Sequence, residues 1–280
     1  MKRFEVKNIN KSYENFTLKD LSFDLEEGYI TGFIGPNGSG KTTTIKSILN
    51  FIKTDSGKIL FNGNSIDDIS YLKNIGIVTD SSFLPKDIKI GDINKMMSIG
   101  YDNWDEKMFF DLLDKYKINE SLKVEELSRG MSTKLMMSVA LSHKPNTLIL
   151  DEPTSGLDPS AREEFRDTIQ DFMEKDEKNT VLFSTHITTD LEKIADFILF
   201  IINGKKVFYG SKDDLLDEFR IIKGNDESFS AIEKQKLIGL RKHQTRSEAL
   251  IRRIDLDKIK DDFVIENPSI DEIISFFNRG

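Results

Sequence analysis

Residues 29–42 read YITGFIGPNGSGKT, and this stretch decides the fold. Its first half, residues 29–35, is a short apolar run rich in β-branched and aromatic side chains, which is typical of a buried strand. Residues 35–42 then fit the pattern G-x-x-x-x-G-K-[ST], and the apolar positions that follow recur at helical spacing. The stretch therefore predicts a strand, a glycine-rich loop and a helix in that order.

The residue types of this loop suit a phosphate group. Glycines let the backbone approach an anion where a Cβ would block it. Lys41 places a charge against the terminal phosphates, Thr42 offers its hydroxyl to Mg²⁺, and the helix N-terminus adds N–H donors. The loop is predicted to bind ATP or GTP. The predicted binding residues are Gly35, Pro36, Asn37, Gly38, Ser39, Gly40, Lys41, Thr42 and Thr43.

A second candidate site lies at residues 148–152, LILDE, where an apolar strand ends in two acids. Asp151, at the end of the strand, is suited to holding Mg²⁺ in place. Glu152 suits a general base that polarises the water attacking a terminal phosphate. The alternative interpretation is a hydrated strand end without a catalytic role.

The remaining pattern predicts an α/β protein. Buried-strand candidates alternate with helical patterns, which is typical of a mostly parallel sheet. These candidates are residues 75–79, 147–150, 180–184 and 197–202. Residues 4–9 and 21–26 alternate apolar and polar side chains, which predicts an antiparallel β layer.

Two regions do not follow this alternation of strand and helix patterns. Residues 81–142 contain three helical patterns without a convincing strand, so a helical subdomain at about 83–141 is predicted inside a domain of residues 1–210. Residues 211–280 are predicted to form a small α+β extension, for which a regulatory role is one interpretation. Within it, residues 234–253 hold seven Lys or Arg and one Glu. This run indicates either a solvated face or a contact with lipid headgroups or a regulator.

Composition excludes several functions. Lys and Arg number 40 against 48 Asp and Glu, a net charge of −8 over 280 residues, which disfavours nonspecific nucleic-acid binding. Cysteine is absent, which excludes disulfides, cysteine-ligated metals and thiol nucleophiles.

The longest strongly apolar run, residues 197–202, is far shorter than the roughly 20 residues of a membrane span. No export signal is recognisable, so a cytoplasmic location is expected.

Further motifs make the first 210 residues resemble the nucleotide-binding subunits of ATP-binding cassette (ABC) transporters, a class of P-loop NTPases. The most specific is LSRGM at residues 127–131, which is similar to the signature motif of that family. SGLD at residues 155–158 resembles its D-loop, and His186 after the run TVLFST resembles its switch histidine. The resemblance implies that ATP, with Mg²⁺, is the nucleotide and that the protein is an ATPase.

The resemblance also implies roles for individual residues. In the family two cassettes dimerise head to tail, so Ser128 and Gly130 of one subunit would contact the γ-phosphate held by Lys41 of the other, while Asp158 crosses the interface. His186 would contact the γ-phosphate beside Glu152. Tyr13 stands where the family keeps an aromatic ring that stacks on adenine, and the alternative is an exposed turn tyrosine.

Three positions depart from the family pattern. Arg129 replaces the usual Gly and Met131 the usual Gln of the signature, and Asp80 stands where the family has a glutamine. One hypothesis is that Asp80 still reaches Mg²⁺ or its water. The alternative is a turn or helix-capping aspartate.

By the same resemblance, the helical subdomain would receive a coupling helix from a separate membrane permease, which places the protein at the inner face of the cell membrane. The second cassette would be identical or different. The Asp80 position, the LSRGM spelling and the segment YDNWDEKMF at residues 101–109 are similar to ATPases of ABC-2 type exporters of antimicrobial or cytolytic peptides. Two alternatives remain: an ABC ATPase of translation or DNA repair, or a weakly hydrolysing partner in a heterodimeric transporter.

Overall fold

The computed structural model describes residues 1–79, 82–230, 232–243, 246–258 and 263–278. The chain divides into two compact units, Met1–Val207 and Phe208–Gly280. The strands are β1 (Lys2–Tyr13), β2 (Phe16–Glu26), β3 (Ile30–Ile34), β4 (Ser56–Phe61), β5 (Asn64–Ser65), β6 (Ile75–Val78), β7 (Thr147–Asp151), β8 (Thr180–Ser184), β9 (Phe197–Ile202), β10 (Lys205–Ser211), β11 (Phe219–Gly224), β12 (Ile238–Lys242), β13 (Ser247–Arg252) and β14 (Val264–Glu266). The α-helices are α1 (Lys41–Ile48), α2 (Ile90–Gly100), α3 (Glu106–Lys115), α4 (Arg129–Ser142), α5 (Pro159–Lys175), α6 (Thr188–Ile194), α7 (Lys212–Glu218), α8 (Asp226–Ser230) and α9 (Ile270–Phe277).

The core of the first unit is a sheet in the order β10-β9-β3-β8-β7-β6. Neighbouring strands from β9 to β6 run parallel. Every residue of β3, β7 and β8 is buried, because helices cover both faces of such a sheet and its strands read as continuous apolar runs. The predicted α/β fold is confirmed. Its carboxyl strand ends meet at one edge, where ligands of parallel sheets bind.

A second sheet of the first unit is antiparallel, in the order β2-β1-β4-β5. Its first strand alternates as predicted, with Phe4, Val6 and Ile9 buried against the core. Both leading strands are longer than predicted and meet at a tight turn, where Tyr13 pairs with Phe16. The sequence analysis did not predict β4 or β5. Half of the SGKILF run of β4 is exposed, and β5 is only two residues long.

The helical subdomain packs α2, α3 and α4 around an apolar cluster that includes Ile90, Phe109 and Leu135. Local hydrogen bonds fix the helix starts. The carboxylate of Asp105 accepts from the Met108 N–H at 2.9 Å at the beginning of α3, which satisfies one of the unpaired donors of a helix N-terminus. Among the described residues, no helix has the length and apolar character needed to cross a bilayer.

The second unit is an antiparallel sheet in the order β12-β13-β11-β14. One side carries an apolar cluster with Ile222 and Ile251, and α9 is anchored by buried Ile273 and Phe276. This agrees with the predicted α+β extension, although sequence patterns alone did not locate its short strands.

Acidic side chains of the same unit neutralise most of its basic run. Lys236 Nζ lies 2.8 Å from Glu233, Arg241 Nη1 lies 3.3 Å from Glu248, and Lys242 Nζ lies 3.7 Å from Asp226. The two arginines at its end pair with acids of α7, in the pairs Arg252–Glu218 and Arg253–Asp217. This pairing favours the solvated-face interpretation over a contact with anionic lipid.

The turn between β9 and β10 joins the antiparallel layer to the phosphate loop. Gly204 donates its N–H to the Ser39 carbonyl at 2.9 Å and accepts from the Lys19 N–H at 2.8 Å. Its φ is +74°, and a Cβ added there would lie 1.9 Å from the carbonyl oxygen of Thr17. The position therefore requires glycine both for its backbone conformation and for space.

We predict that Gly204→Ala lowers the free energy of unfolding of the first unit by about 3 kcal/mol, the sum of a left-handed non-glycine residue and local overpacking. The matched control is Gly63→Ala, where φ is +78° and a Cβ would meet nothing within 4 Å. Only the conformational cost, about 1 kcal/mol, is expected there. Urea unfolding followed by the fluorescence of Trp104, the one tryptophan of the chain, measures both. Equal destabilisation by the two substitutions would contradict the steric argument.

Candidate active site

The glycine-rich loop connects β3 to α1 at the carboxyl edge of the parallel sheet. Gly40 caps α1 with a φ of +110°, and a Cβ there would lie 2.7 Å from the ring of Phe16. The loop therefore lies close to the first residue of β2. As the sequence predicts, the N-terminus of α1 opens toward the loop, where its unpaired N–H groups favour an anion.

Lys41 is the cation of this loop. Its side chain is almost fully buried, and Nζ donates to the carbonyl oxygen of Gly35 at 2.8 Å. The same Nζ lies 3.4 Å from Oε1 of Glu152. The ammonium group is thus held between the backbone of the loop and the acidic end of β7.

Asp151 links three elements at the strand ends. Its Oδ2 accepts from the Thr42 hydroxyl at 3.0 Å, and its Oδ1 accepts from the Ser184 hydroxyl at 2.6 Å. The parallel register of β7 and β8 places Asp151 beside Ser184. Ser184, which the sequence analysis did not single out, therefore orients the carboxylate toward Thr42.

The donor set of Thr42 and Asp151 fits Mg²⁺, which prefers hydroxyl and carboxylate oxygens. No group of three or more His, Asp or Glu able to hold a metal occurs in the part of the chain that the structure describes. A magnesium ion here would therefore share its coordination with phosphate oxygens and water, as is usual at nucleotide sites. Asp80, the other predicted metal residue, lies outside the described residues.

Glu152 is the most constrained residue of the site. Its φ is +52°, a left-handed conformation uncommon for residues other than glycine, and its N–H donates to the Ser184 carbonyl at 3.0 Å. Its Oε2 accepts from the backbone N–H of His186 at 3.2 Å and lies 2.5 Å from the imidazole Nδ1. The two predicted catalytic residues are therefore in direct contact, with Lys41 on the other side of the carboxylate.

A cleft of about 400 Å³ lies over the phosphate loop. Tyr13, at the end of β1, lines it with a ring that is 48% exposed and has the Lys11 ammonium 5.8 Å from its centroid. Phe16 also lines the cleft, and the sequence analysis missed it. The available signal was the pair of aromatic residues on either side of a two-residue turn. The remaining lining residues are Asn37, Gly38, Ser39, Gly40, Lys41, Thr42, Thr43 and Glu152.

The predicted signature and D-loop residues form a different surface. The Ser128 hydroxyl caps α4 by accepting from the Met131 N–H at 3.3 Å, and the Asp158 carboxylate caps α5 by accepting from the Ala161 N–H at 2.9 Å. The Arg129 side chain packs against Gly156 within the same chain. Neither Ser128, Gly130 nor Asp158 lines the cleft over the phosphate loop as the structure describes it.

Sequence comparisons match the chain to a known family and to individual relatives. The family model described as ABC transporter matches residues 18–155. The lantibiotic transport ATP-binding protein SrtF of Streptococcus pyogenes is 33% identical over 77% of this chain and 95% of its own length. The linearmycin resistance ATP-binding protein LnrL of Bacillus subtilis is 32% identical over 75% of this chain and 70% of its own length.

Solved structures of ABC transporter components are also similar to this chain. A structure described as an ATP binding subunit of an ABC transporter superposes with a TM-score of 0.69 at 26% identity. It covers 76% of this chain and 91% of the other. The cbiO1 protein of Clostridium perfringens, described as part of an ABC transporter complex, has a TM-score of 0.64 at 25% identity, over 78% and 91% of the two chains.

If the Tyr13 ring stacks on a nucleotide base, Tyr13→Ala should raise the Kd for ATP by roughly tenfold, since stacking on an aromatic ring contributes about 1 to 3 kcal/mol. Tyr13→Phe keeps the ring and should bind within twofold of the wild type. Titration with a fluorescent ATP analogue measures both constants. An alanine variant that binds as tightly as the wild type would support the exposed-turn interpretation instead.

Proposed function

The chain belongs to the family of ABC transporter ATP-binding proteins, and from this membership we propose that it binds and hydrolyses ATP in the cleft over the phosphate loop, in order to power export through a separate membrane permease. The observation that carries the proposal is that the carboxylate of Glu152 contacts both the ammonium group of Lys41 and the imidazole of His186. This arrangement combines a phosphate-binding cation, a general base and a polar partner for that base in one place. Such an arrangement suits phosphoryl transfer to water.

Binding and orientation come from the phosphate loop. Lys41 and the N-terminus of α1 stabilise the negative charge of the phosphates, while Tyr13 at the far side of the cleft stacks on the base. A magnesium ion held by Thr42 and Asp151 together with phosphate oxygens would neutralise part of the phosphate charge. These contacts hold the terminal phosphate next to the carboxylate of Glu152.

Glu152 then acts as the general base for the attacking water. One of its carboxylate oxygens is held by two nitrogens of His186. The other, Oε1, is buried, makes no hydrogen bond among the described residues and lies 3.4 Å from the Lys41 ammonium. That second oxygen suits acceptance of a proton from the attacking water. His186, whose imidazole is half exposed, orients the carboxylate and can contact the terminal phosphate.

We predict that Glu152→Gln lowers the ATP turnover rate by about 100-fold or more, because the amide cannot accept the proton. ATP affinity should be retained, and a closed dimer should accumulate, visible as a doubled mass in light scattering. The matched control, Glu174→Gln, changes an exposed glutamate at the far end of α5 and should behave as the wild type. Unimpaired turnover of Glu152→Gln would remove Glu152 from the mechanism.

The dimer proposed here is head to tail. The surface with Ser128, Gly130 and Asp158 is separate from the cleft, and it includes the N-terminus of α4, a helix without acidic residues in its first turn. A helix start of this kind favours an anion. In the proposed dimer, a second cassette facing the first would bring this surface to the γ-phosphate in the other cleft. Ser128, Gly130 and Asp158 would then take the roles that family resemblance gives them.

The proposed permease site is an apolar groove between the core sheet and the helical subdomain. The groove encloses about 480 Å³, and its lining extends to Thr42 and Asp151 of the proposed magnesium site. It also carries Phe51 and Phe83, which are 58% and 56% exposed. Burial lowers the pKa of His143, so its imidazole is neutral at pH 7, and it stacks on Tyr101 at 4.3 Å. Single exposed apolar side chains are common on protein surfaces, but a contiguous apolar groove with exposed aromatic side chains at its rim marks an interaction surface. A groove of this character suits the apolar face of a helix from the permease, which would hold the protein at the inner face of the membrane.

The permease assignment predicts a loss of assembly in the double variant Phe51→Ser/Phe83→Ser. Retention of the co-expressed permease on the tagged chain in detergent should fall about 30-fold or more, since each of the two lost aromatic anchors contributes more than about 1 kcal/mol. The control Ile69→Ser removes an equally exposed apolar side chain, at 63%, outside the groove and should retain the permease. ATP hydrolysis by the isolated chain should not change in either variant. Full retention by the double variant would place the docking surface elsewhere.

For the exported substrate we propose an antimicrobial compound, with peptides as the first class to test. Relatives named for lantibiotic transport and for linearmycin resistance support this class, and a relative named for Nod factor export, from Burkholderia orbicola and 30% identical, supports the direction of transport.

A further inference from the structure

Three polar side chains form a buried cluster next to the site but outside the cleft. The Thr154 hydroxyl donates to Oδ2 of Asp190 at 2.8 Å, and Arg166 Nη1 donates to Oδ1 of the same carboxylate at 2.5 Å. Asp190 is 1% exposed, and both partners are buried as well. The cluster joins the loop after β7 to α5 and α6 and has no part in the phosphate contacts described above.

Packing stability alone does not explain why a charged pair is buried here. Desolvation of a carboxylate and a guanidinium is costly, and apolar side chains of similar volume commonly stabilise a core as well or better. The cluster does, however, connect two particular segments. Thr154 follows Glu152 by two residues, and Asp190 follows His186 by four. One carboxylate therefore ties together the two loops that carry the catalytic pair.

The first of these loops is held in a conformation that depends on its surroundings. Glu152 has a left-handed backbone, which persists only where neighbouring contacts determine it. The loop folds back on itself through two hydrogen bonds, from the Ser155 N–H to the Glu152 carbonyl and from the Leu157 N–H to the Thr154 carbonyl, both at 3.2 Å. Thr154 lies between them, and its side-chain contact with Asp190 fixes the loop to α6.

The second loop is fixed from the same carboxylate. The Ile187 N–H donates to the Thr185 hydroxyl at 2.9 Å, and the Asp190 N–H donates to the Ile187 carbonyl at 3.2 Å. These bonds connect Asp190 to the chain on both sides of His186 within one turn. A displacement of Asp190 would therefore move the imidazole relative to Glu152.

We propose that Asp190 is a positioning residue for ATP hydrolysis, which holds Glu152 and His186 in contact by anchoring Thr154 on one loop and the start of α6 on the other, while Arg166 fixes the orientation of its carboxylate. The proposal rests on the proposed function and adds to it a group that touches neither nucleotide nor water. Its effect is on the rate of hydrolysis, because the phosphate loop that binds ATP is not part of the cluster.

The test compares Thr154→Val, which removes the hydroxyl at nearly constant shape, with Thr154→Ser, which keeps it. We expect kcat to fall on the order of tenfold in the valine variant, as small displacements of catalytic groups do. The Kd for ATP should stay within twofold of the wild type, and the serine variant should recover most of the rate. Asp190→Asn, which keeps the shape but removes the charge, is the second variant and should resemble Thr154→Val.

A readout independent of activity is the imidazole NMR spectrum, which is simple because the chain has three histidines. Resonances of His186 should move in Thr154→Val, whereas those of His243 in the second unit should not. Unchanged kcat and unchanged His186 resonances would overturn the inference. So would a loss of rate that serine does not restore, or an equal loss of ATP affinity, since either indicates general loosening. A wild-type protein without Glu152-dependent hydrolysis would instead overturn the proposed function, and the inference with it.

Discussion

The site depends on the position of one carboxylate, that of Glu152, between Lys41 and His186. Nothing in the intrinsic preference of a glutamate favours this position, because its backbone is left-handed and its side chain is taken largely out of water. The surrounding contacts determine it. Ser184 holds the backbone N–H, His186 holds one oxygen, and the buried Thr154 hydroxyl fixes the chain two residues later.

The parallel sheet makes this arrangement possible. Its strands β3, β7 and β8 are buried on both faces and run parallel, so their carboxyl ends lie at one edge with the segments that bear Lys41, Asp151 and His186. The same packing explains why the site has two separate surfaces. The phosphate loop and the aromatic residues of the antiparallel layer form the cleft, whereas the signature helix α4 starts on the surface that the proposed dimer brings to a second cleft.

Much of this could be predicted from sequence because the informative residues are close together in the chain. Residues 35–42 predict a strand, loop and helix, and LILDE predicts an acidic strand end, since each motif is local. The left-handed Glu152 and the cluster around Asp190 could not be predicted, because they depend on contacts between segments far apart in the sequence. The second unit shows the same limit: its short strands carry weak periodicity, and its basic run had an ambiguous meaning until the acids that pair with it, such as Glu218 and Asp226, were located in space.

The central claim is that hydrolysis at this cleft powers a permease. The most direct measurement is the steady-state ATPase rate of the purified chain alone and after reconstitution in proteoliposomes with a permease that co-purifies with it. A rate that rises severalfold on assembly, and rises again when the exported compound is added, is the predicted result, since coupling requires the partner and its cargo to affect the catalytic cycle. A rate that is identical with and without the membrane protein would contradict the claim.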